Sequence, residues 1–203
     1  MKSVLVLYPI QPYADVLIGA NEAPEIKIKY AQIYQHILSK RYFSFRLIWV
    51  MFSESQSMDK PDISQLWQGI SIDKKNDIVG ACGVSFNDHC RDKLYPNSES
   101  IVKLCPQPIE ELIIVGFHFW DCVEKVAKCA HEQGINVLVD DDLTEFFFYQ
   151  VRDRKGFPSL KNIPLLREKS IEKNRKQFIK SGGSRSLERV RQVRKEKPWL
   201  FPI

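Results

Sequence analysis

The sequence predicts an α/β protein: a three-layer α/β/α sandwich around a central, mainly parallel sheet. Short runs of consecutive apolar residues, which suit strands buried on both faces, recur along the first 139 residues. Two segments with helical spacing of apolar residues lie between these runs, and such alternation is typical of a parallel sheet covered by helices. At 203 residues with an apolar fraction of 44%, the chain is long enough for one core and an extension.

The predicted strands span residues 4–8, 45–52, 77–83, 112–115 and 135–139. Arg46 alone interrupts the second run, Gly116 closes the fourth, and Asp140 follows the last. The predicted helices span residues 25–41 and 121–133, the second of which Gly134 ends. Residues 10–15 are predicted to form a loop, and residues 53–76 an irregular region with at most a short helix around Leu66.

The charge divides the chain into two parts. Residues 151–203 contain 16 Lys and Arg against five Asp and Glu, a net charge of +11, whereas the first 150 residues carry −6. We therefore expect an α/β domain over residues 1–160 and a basic helical extension over residues 161–203. Within the extension, residues 167–180 and 187–197 are candidate helices, and the apolar residues 198–203 are a candidate docking segment.

No signal peptide and no membrane-spanning run is predicted, and the expected location is the cytoplasm. The five cysteines form no Cys-x-x-Cys pair, so free thiols are expected instead of a zinc ribbon or a thioredoxin motif. Cys82, His89 and Cys90 imitate part of a metal site, but their spacing is nonstandard. No metal and no cofactor is predicted.

One stretch resembles a known family over about thirty residues. Gly116 closes a predicted strand, and the pair Cys122-Val123 follows, with Cys122 six residues after the glycine. Small residues then lie five, eight and twelve positions after Cys122, at Ala127, Ala130 and Gly134. This pattern resembles the isochorismatase-like cysteine hydrolases, which include the nicotinamidases. The resemblance implies that Cys122 occupies the position of the nucleophile, and it also implies a homo-oligomer.

The physical chemistry of Cys122 agrees with that role. A cysteine at a helix N-terminus lies near the positive end of the helix dipole and near unpaired backbone N–H groups, which favour a thiolate. The same N–H groups could stabilise the oxyanion of an acyl intermediate. The alternative is a buried structural thiol, since cysteine is often buried without any chemical role.

The sequence departs from the family at the two residues that support the nucleophile. Where the family has a carboxylate base at the end of the first strand, this chain has Pro9 or, in a register one residue earlier, Tyr8. Where the family has a lysine on a middle strand, this chain has Gly80. Asp15 is a candidate substitute base. His118 or Lys125 would supply positive charge, although a structural, hydrogen-bonded histidine is the alternative for His118.

Other residues allow further interpretations. Asp140, Asp141 and Asp142 follow a predicted strand and could bind Mg²⁺, or one of them could cap a helix beginning near residue 143. The aromatic residues 146–149 are predicted to lie in the core or at a subunit interface.

Three functional hypotheses follow. The first is a diverged, non-hydrolysing binding, regulatory or scaffold protein. The second is a cysteine hydrolase of an amide or related acyl substrate, with Cys122 as nucleophile. The third is a protein that binds nucleic acid, or an acidic protein, through residues 167–197. In the alternative to the third hypothesis, the basic extension packs on the acidic body of its own chain or of a neighbouring subunit.

Overall fold

The computed structural model describes residues 1–145, 147–148, 196–197 and 199. In this part of the chain the strands are β1 (Lys2–Leu7), β2 (Arg46–Glu54), β3 (Ser57–Pro61), β4 (Ile78–Ser85), β5 (Glu111–Gly116) and β6 (Val137–Val139). The α-helices are α1 (Gln11–Ile18), α2 (Pro24–Arg41), α3 (Phe86–Asp92), α4 (Ser98–Val102) and α5 (Glu124–Glu132). Short 3₁₀ turns cover Ile63–Gln65 and Asp141–Leu143, and a π-helical turn covers Phe119–Val123.

The sheet is mainly parallel and helices flank it, which confirms the predicted fold class. Its strand order is β3-β2-β1-β5-β6, and β4 pairs with β2. All pairs are parallel except that of β2 with β3. Leu5 of β1 lies opposite Ile48 of β2 and Ile114 of β5, and all three are fully buried. Burial on both faces explains why these strands are continuous apolar runs.

Three local predictions were wrong or incomplete. Residues 11–18 form helix α1, not a loop, because Pro12 lies in the first helical turn, where its missing N–H is tolerated. The region 53–76, predicted to be irregular, contains β3, and its short helix precedes Leu66. Helices α3 and α4 were not predicted because they are short; the side chains of Ser85 and Asn97 cap their N-termini.

The end of the described chain contacts the α/β body. The backbone N–H of Val139 donates to the carbonyl of Trp199 at 3.0 Å, and Trp199 is buried. Phe147 and Phe148, from the predicted aromatic run, are also buried, and they pack near Tyr30. The predicted boundary at residue 160 and nearly all of the two candidate basic helices lie outside the described residues.

Candidate functional site

The turn that contains Cys122 begins at a position that requires glycine. Gly116 ends β5 with a φ of 108°, and a Cβ there would lie 2.1 Å from the carbonyl oxygen of Leu7. The peptide bond between Phe117 and His118 is cis. The carbonyl of His118 then accepts from the N–H of Val123 at 3.0 Å, which closes the π-helical turn. Cys122 therefore lies in this turn, ahead of α5 rather than within it.

The thiol of Cys122 is held in its neutral form. Its residue is only 4% exposed, and burial raises the pKa of Cys122 to about 12. The neighbouring carboxylate of Asp121 contributes to this rise, and the charge of Lys125 opposes it only in part. The thiolate stabilisation expected at a helix N-terminus is thus outweighed by loss of hydration.

The cavity beside Cys122 is almost filled. Its volume is about 10 Å³, which leaves room for at most one water molecule. The residues around it include Tyr8, Tyr95, Pro96, Ile101, Cys122 and Lys125. A substrate acyl group is much larger than a water molecule, so this arrangement admits none without movement of the walls.

Tyr8, not Pro9, is the residue at the end of β1 that lines the cavity of Cys122. Its ring is fully buried and stacks on Phe52, with 4.4 Å between centroids. Burial raises the pKa of Tyr8 well above its ordinary value, so the side chain is a neutral phenol. Its hydroxyl has no hydrogen bond of normal geometry within the described residues, although the thiol of Cys82 is close enough to affect its pKa. A neutral phenol cannot replace a carboxylate base.

Lys125 is engaged on two sides. Its Nζ lies 2.6 Å from Oδ1 of Asp121 and 3.2 Å from the centroid of the Tyr95 ring. The positive charge next to Cys122 is therefore shared with a carboxylate and an aromatic face. Tyr95 and Lys125 together form one wall of the cavity.

Asp15 lies on α1, where it is paired with other side chains. Its Oδ1 accepts from Nζ of Lys27 at 2.8 Å and from Nε2 of Gln11 at 2.8 Å. Partial burial opposes its ionisation, but these two hydrogen bonds and the charge of Lys27 outweigh that effect and lower the pKa of Asp15. A carboxylate with a lowered pKa is a weaker base, and its role in catalysis stays a prediction.

His118 pairs with a residue that the sequence analysis missed. Its Nδ1 lies 3.3 Å from Oε1 of Glu145, and its ring packs against Tyr13 with 4.4 Å between centroids. Both carboxylate oxygens of Glu145 also accept from the backbone N–H of Phe119, each at 2.8 Å. Glu145 thus occupies one backbone N–H group of the turn that contains Cys122. No motif marks Glu145, since it is 26 residues from Phe119 in sequence.

Replacing Glu145 with alanine is expected to lower the free energy of unfolding by about 1–3 kcal/mol, because the buried N–H of Phe119 loses its acceptor. Urea unfolding measures this loss. Glu145→Gln keeps one carbonyl acceptor and should therefore lower the free energy of unfolding by less than Glu145→Ala does. The control is Glu132→Ala on the exposed end of α5, with an effect below about 1 kcal/mol. Equal losses for Glu145→Ala and Glu132→Ala would contradict this role of Glu145.

Two of the three aspartates after β6 pair with an arginine. Arg41, at the end of α2, forms ion pairs with Asp140 and Asp142, the latter at 3.0 Å. The hydroxyl of Tyr42 also donates to Asp140 at 2.6 Å. Burial opposes the charge of Arg41, but the two carboxylates outweigh this and raise the pKa of Arg41. Asp140 also caps the 3₁₀ turn by accepting from the N–H of Asp142, so one aspartate does cap a short helix.

The candidate metal ligands have other partners. Arg41 occupies the carboxylates that could have bound Mg²⁺, and Nδ1 of His89 lies 2.8 Å from the carbonyl oxygen of Leu94. Cys82 is buried, whereas Cys90 is exposed. Among the residues that the structure describes, no group of three or more His, Cys, Asp and Glu side chains could hold a metal ion. In the same part of the chain, no helix combines the length and the apolar composition that crossing a bilayer requires.

A larger opening lies next to β4. This groove has a volume of about 630 Å³ and is lined by Met58, Asp59, Cys82, Tyr95, Asn97 and Leu104, among others. Tyr95 lines both this groove and the small cavity of Cys122. Cys122 itself does not line the groove.

Comparison with known proteins gives structural matches only. No family model matches the chain, and no curated protein matches it. An isochorismatase from Pseudomonas putida is 15% identical, with a TM-score of 0.42, and the match covers 70% of each chain. N-carbamoylsarcosine amidase from Thermoplasma acidophilum is 19% identical, with a TM-score of 0.40, over 71% of this chain and 84% of that one. The yeast nicotinamidase is 14% identical, with a TM-score of 0.39, over 88% and 95%. Isochorismatase-family proteins and nicotinamidases, which the stretch around Cys122 resembles, are thus among the solved structures to which this chain is similar.

Proposed function

We propose that this chain is a diverged isochorismatase-like protein that keeps the cysteine of the nucleophile position but does not hydrolyse amides. It would act as a binding, regulatory or scaffold protein. The observation that carries the proposal is the burial of Cys122 in a cavity of about 10 Å³, with its pKa raised to about 12. At neutral pH such a thiol is neither ionised nor accessible to a substrate.

Thiol-dependent amide hydrolysis has three requirements, and each meets an obstacle here. The nucleophile must ionise, but burial and Asp121 oppose ionisation of Cys122. A base must accept the thiol proton, but Asp15 is paired with Lys27. Donors must stabilise the oxyanion, and one backbone N–H of the turn at Cys122, that of Phe119, already donates to Glu145.

An active cysteine hydrolase remains the competing function, with Cys122 as nucleophile, Asp15 as substitute base and His118 or Lys125 as the positive charge. One observation favours the hydrolase: the charge of the nearby Lys125 acts to lower the pKa of Cys122. Catalysis would require the ring of Tyr8 or Tyr95 to leave the cavity wall.

A screen against small primary amides and related acyl substrates tests the proposal. Wild-type protein and Cys122→Ala should give the same rate as buffer. Cys90→Ala, which removes an exposed thiol away from the cavity, is the matched control for cysteine loss. Hydrolysis by the wild type that Cys122→Ala abolishes and Cys90→Ala keeps would establish the hydrolase and overturn the proposal.

The net charge of +11 over residues 151–203 favours a further candidate function, binding of RNA or DNA. Replacing Arg185, Arg189 and Arg191 with glutamine would then weaken binding and reduce its salt dependence, whereas an unchanged salt slope would exclude these arginines as phosphate contacts. Absence of binding at low salt would remove this candidate and leave packing on an acidic protein surface.

A further inference from the structure

The outer edge of β6 carries a backbone donor that points away from the sheet. On the inner side, the N–H of Asp140 donates to the carbonyl of Ile114 in β5 at 3.0 Å. Because successive residues of a strand direct their N–H groups to opposite edges, the N–H of Val139 points outward. It donates to the carbonyl of Trp199 at 3.0 Å. The C-terminal segment thus satisfies a donor that an edge strand would otherwise leave open.

Two further contacts place the same segment on helix α5. The ring of Trp199 lies against His131, with 4.8 Å between centroids, and Trp199 is 9% exposed. Nζ of Lys197 forms an ion pair with Oε1 of Glu124. Glu124 and His131 are seven residues apart and therefore lie on one face of the helix. A backbone hydrogen bond, an aromatic contact and an ion pair converge on one surface.

We propose that the outer edge of β6 and the face of α5 formed by Glu124 and His131 are a docking surface for Lys197 and Trp199 of the same chain. The docked segment anchors the end of the basic stretch. The other end of that stretch follows Phe148, which packs near Tyr30. In the sequence, residues 149–195 contain 15 Lys and Arg against four Asp and Glu. This docking is independent of whether Cys122 is active.

Different substitutions remove the aromatic contact and the ion pair separately. Trp199→Ala removes the ring that packs on His131, whereas Trp199→Phe keeps an aromatic side chain. Lys197→Glu and Glu124→Lys each place like charges together, and the double variant restores the pair with its signs exchanged.

Hydrogen exchange of single amides in the full chain is the test. In Trp199→Ala the amide of Val139 is expected to exchange at least about tenfold faster, since local opening now exposes it. The amide of Asp140, bonded to Ile114, is the internal control and should not change. Each single charge reversal should also make the amide of Val139 exchange faster, and the double variant should restore the slow exchange of that amide.

Two results would overturn the proposal. One is unchanged exchange of Val139 in Trp199→Ala. The other is protection of Val139 that increases with protein concentration, which would assign the docked segment to a second copy of the chain.

Discussion

Arg41→Ala is expected to lower the free energy of unfolding by about 3–5 kcal/mol, because it leaves two buried carboxylates without their cation. The side chain of Arg41 is 8% exposed, and those of Asp140 and Asp142 are each 1% exposed. In the folded protein the guanidinium, and not bulk water, therefore balances these carboxylates. Urea unfolding at pH 7 measures the effect.

Two variants show whether this loss comes from the ion pairs. Lys40→Ala, the matched control, removes an exposed charge from the same turn of α2 and should change stability by less than about 0.5 kcal/mol. Arg41→Lys keeps the positive charge but lacks the two guanidinium nitrogens that pair with Asp140 and Asp142. The free energy of unfolding of this variant should therefore lie between those of the wild type and Arg41→Ala. A loss below about 1 kcal/mol for Arg41→Ala would contradict the assigned role.

Tyr8→Ala is expected to have an effect of similar size, about 3–5 kcal/mol, because it empties a fully buried position in the core. The ring lies between Phe52, on which it stacks, and the cavity of Cys122. Removing it enlarges that cavity, so alkylation of Cys122 should also become faster. Urea unfolding and mass spectrometry of alkylated peptides measure the two effects.

Tyr8→Phe separates packing from hydrogen bonding. It keeps the ring and removes a buried hydroxyl that has no hydrogen bond of normal geometry within the described residues. Stability should therefore be unchanged or slightly higher. If Tyr8→Phe instead costs more than about 1 kcal/mol, the hydroxyl has a partner and the cavity wall is polar.

The fold was predictable because its strands carry a strong local signal. β1 and β5 are buried on both faces, and this burial requires the continuous apolar runs that the sequence contains. The end of β5 was predictable from Gly116, where a Cβ would clash with the backbone of Leu7. The predicted helix over residues 121–133 begins only at Glu124, and the π-helical turn that holds Cys122 was not predicted. Helix α1 was missed because its Gln-Pro start is also typical of a loop.

The partners in the site were not predictable because they are distant in sequence. Arg41 and Asp140 are 99 residues apart, and an arginine in the last turn of a helix has a local explanation in the helix dipole. The sequence left open whether Tyr8 or Pro9 stands where the family has its carboxylate; which of them lines the cavity of Cys122 depends on the backbone after β1. The raised pKa of Cys122 follows from burial by side chains of other elements, which no motif encodes.

The alkylation rate of Cys122 against pH, read by mass spectrometry with exposed Cys90 as the internal reference, tests most directly whether the thiol is still primed for catalysis. With a pKa of about 12, only about one thiol in ten thousand is ionised at pH 8. Cys122 should therefore remain unmodified long after Cys90 has reacted, and it should gain reactivity only in strong alkali. Reaction of Cys122 faster than Cys90, with a midpoint below the ordinary thiol pKa of about 8.5, would show a primed nucleophile and contradict a non-hydrolysing role.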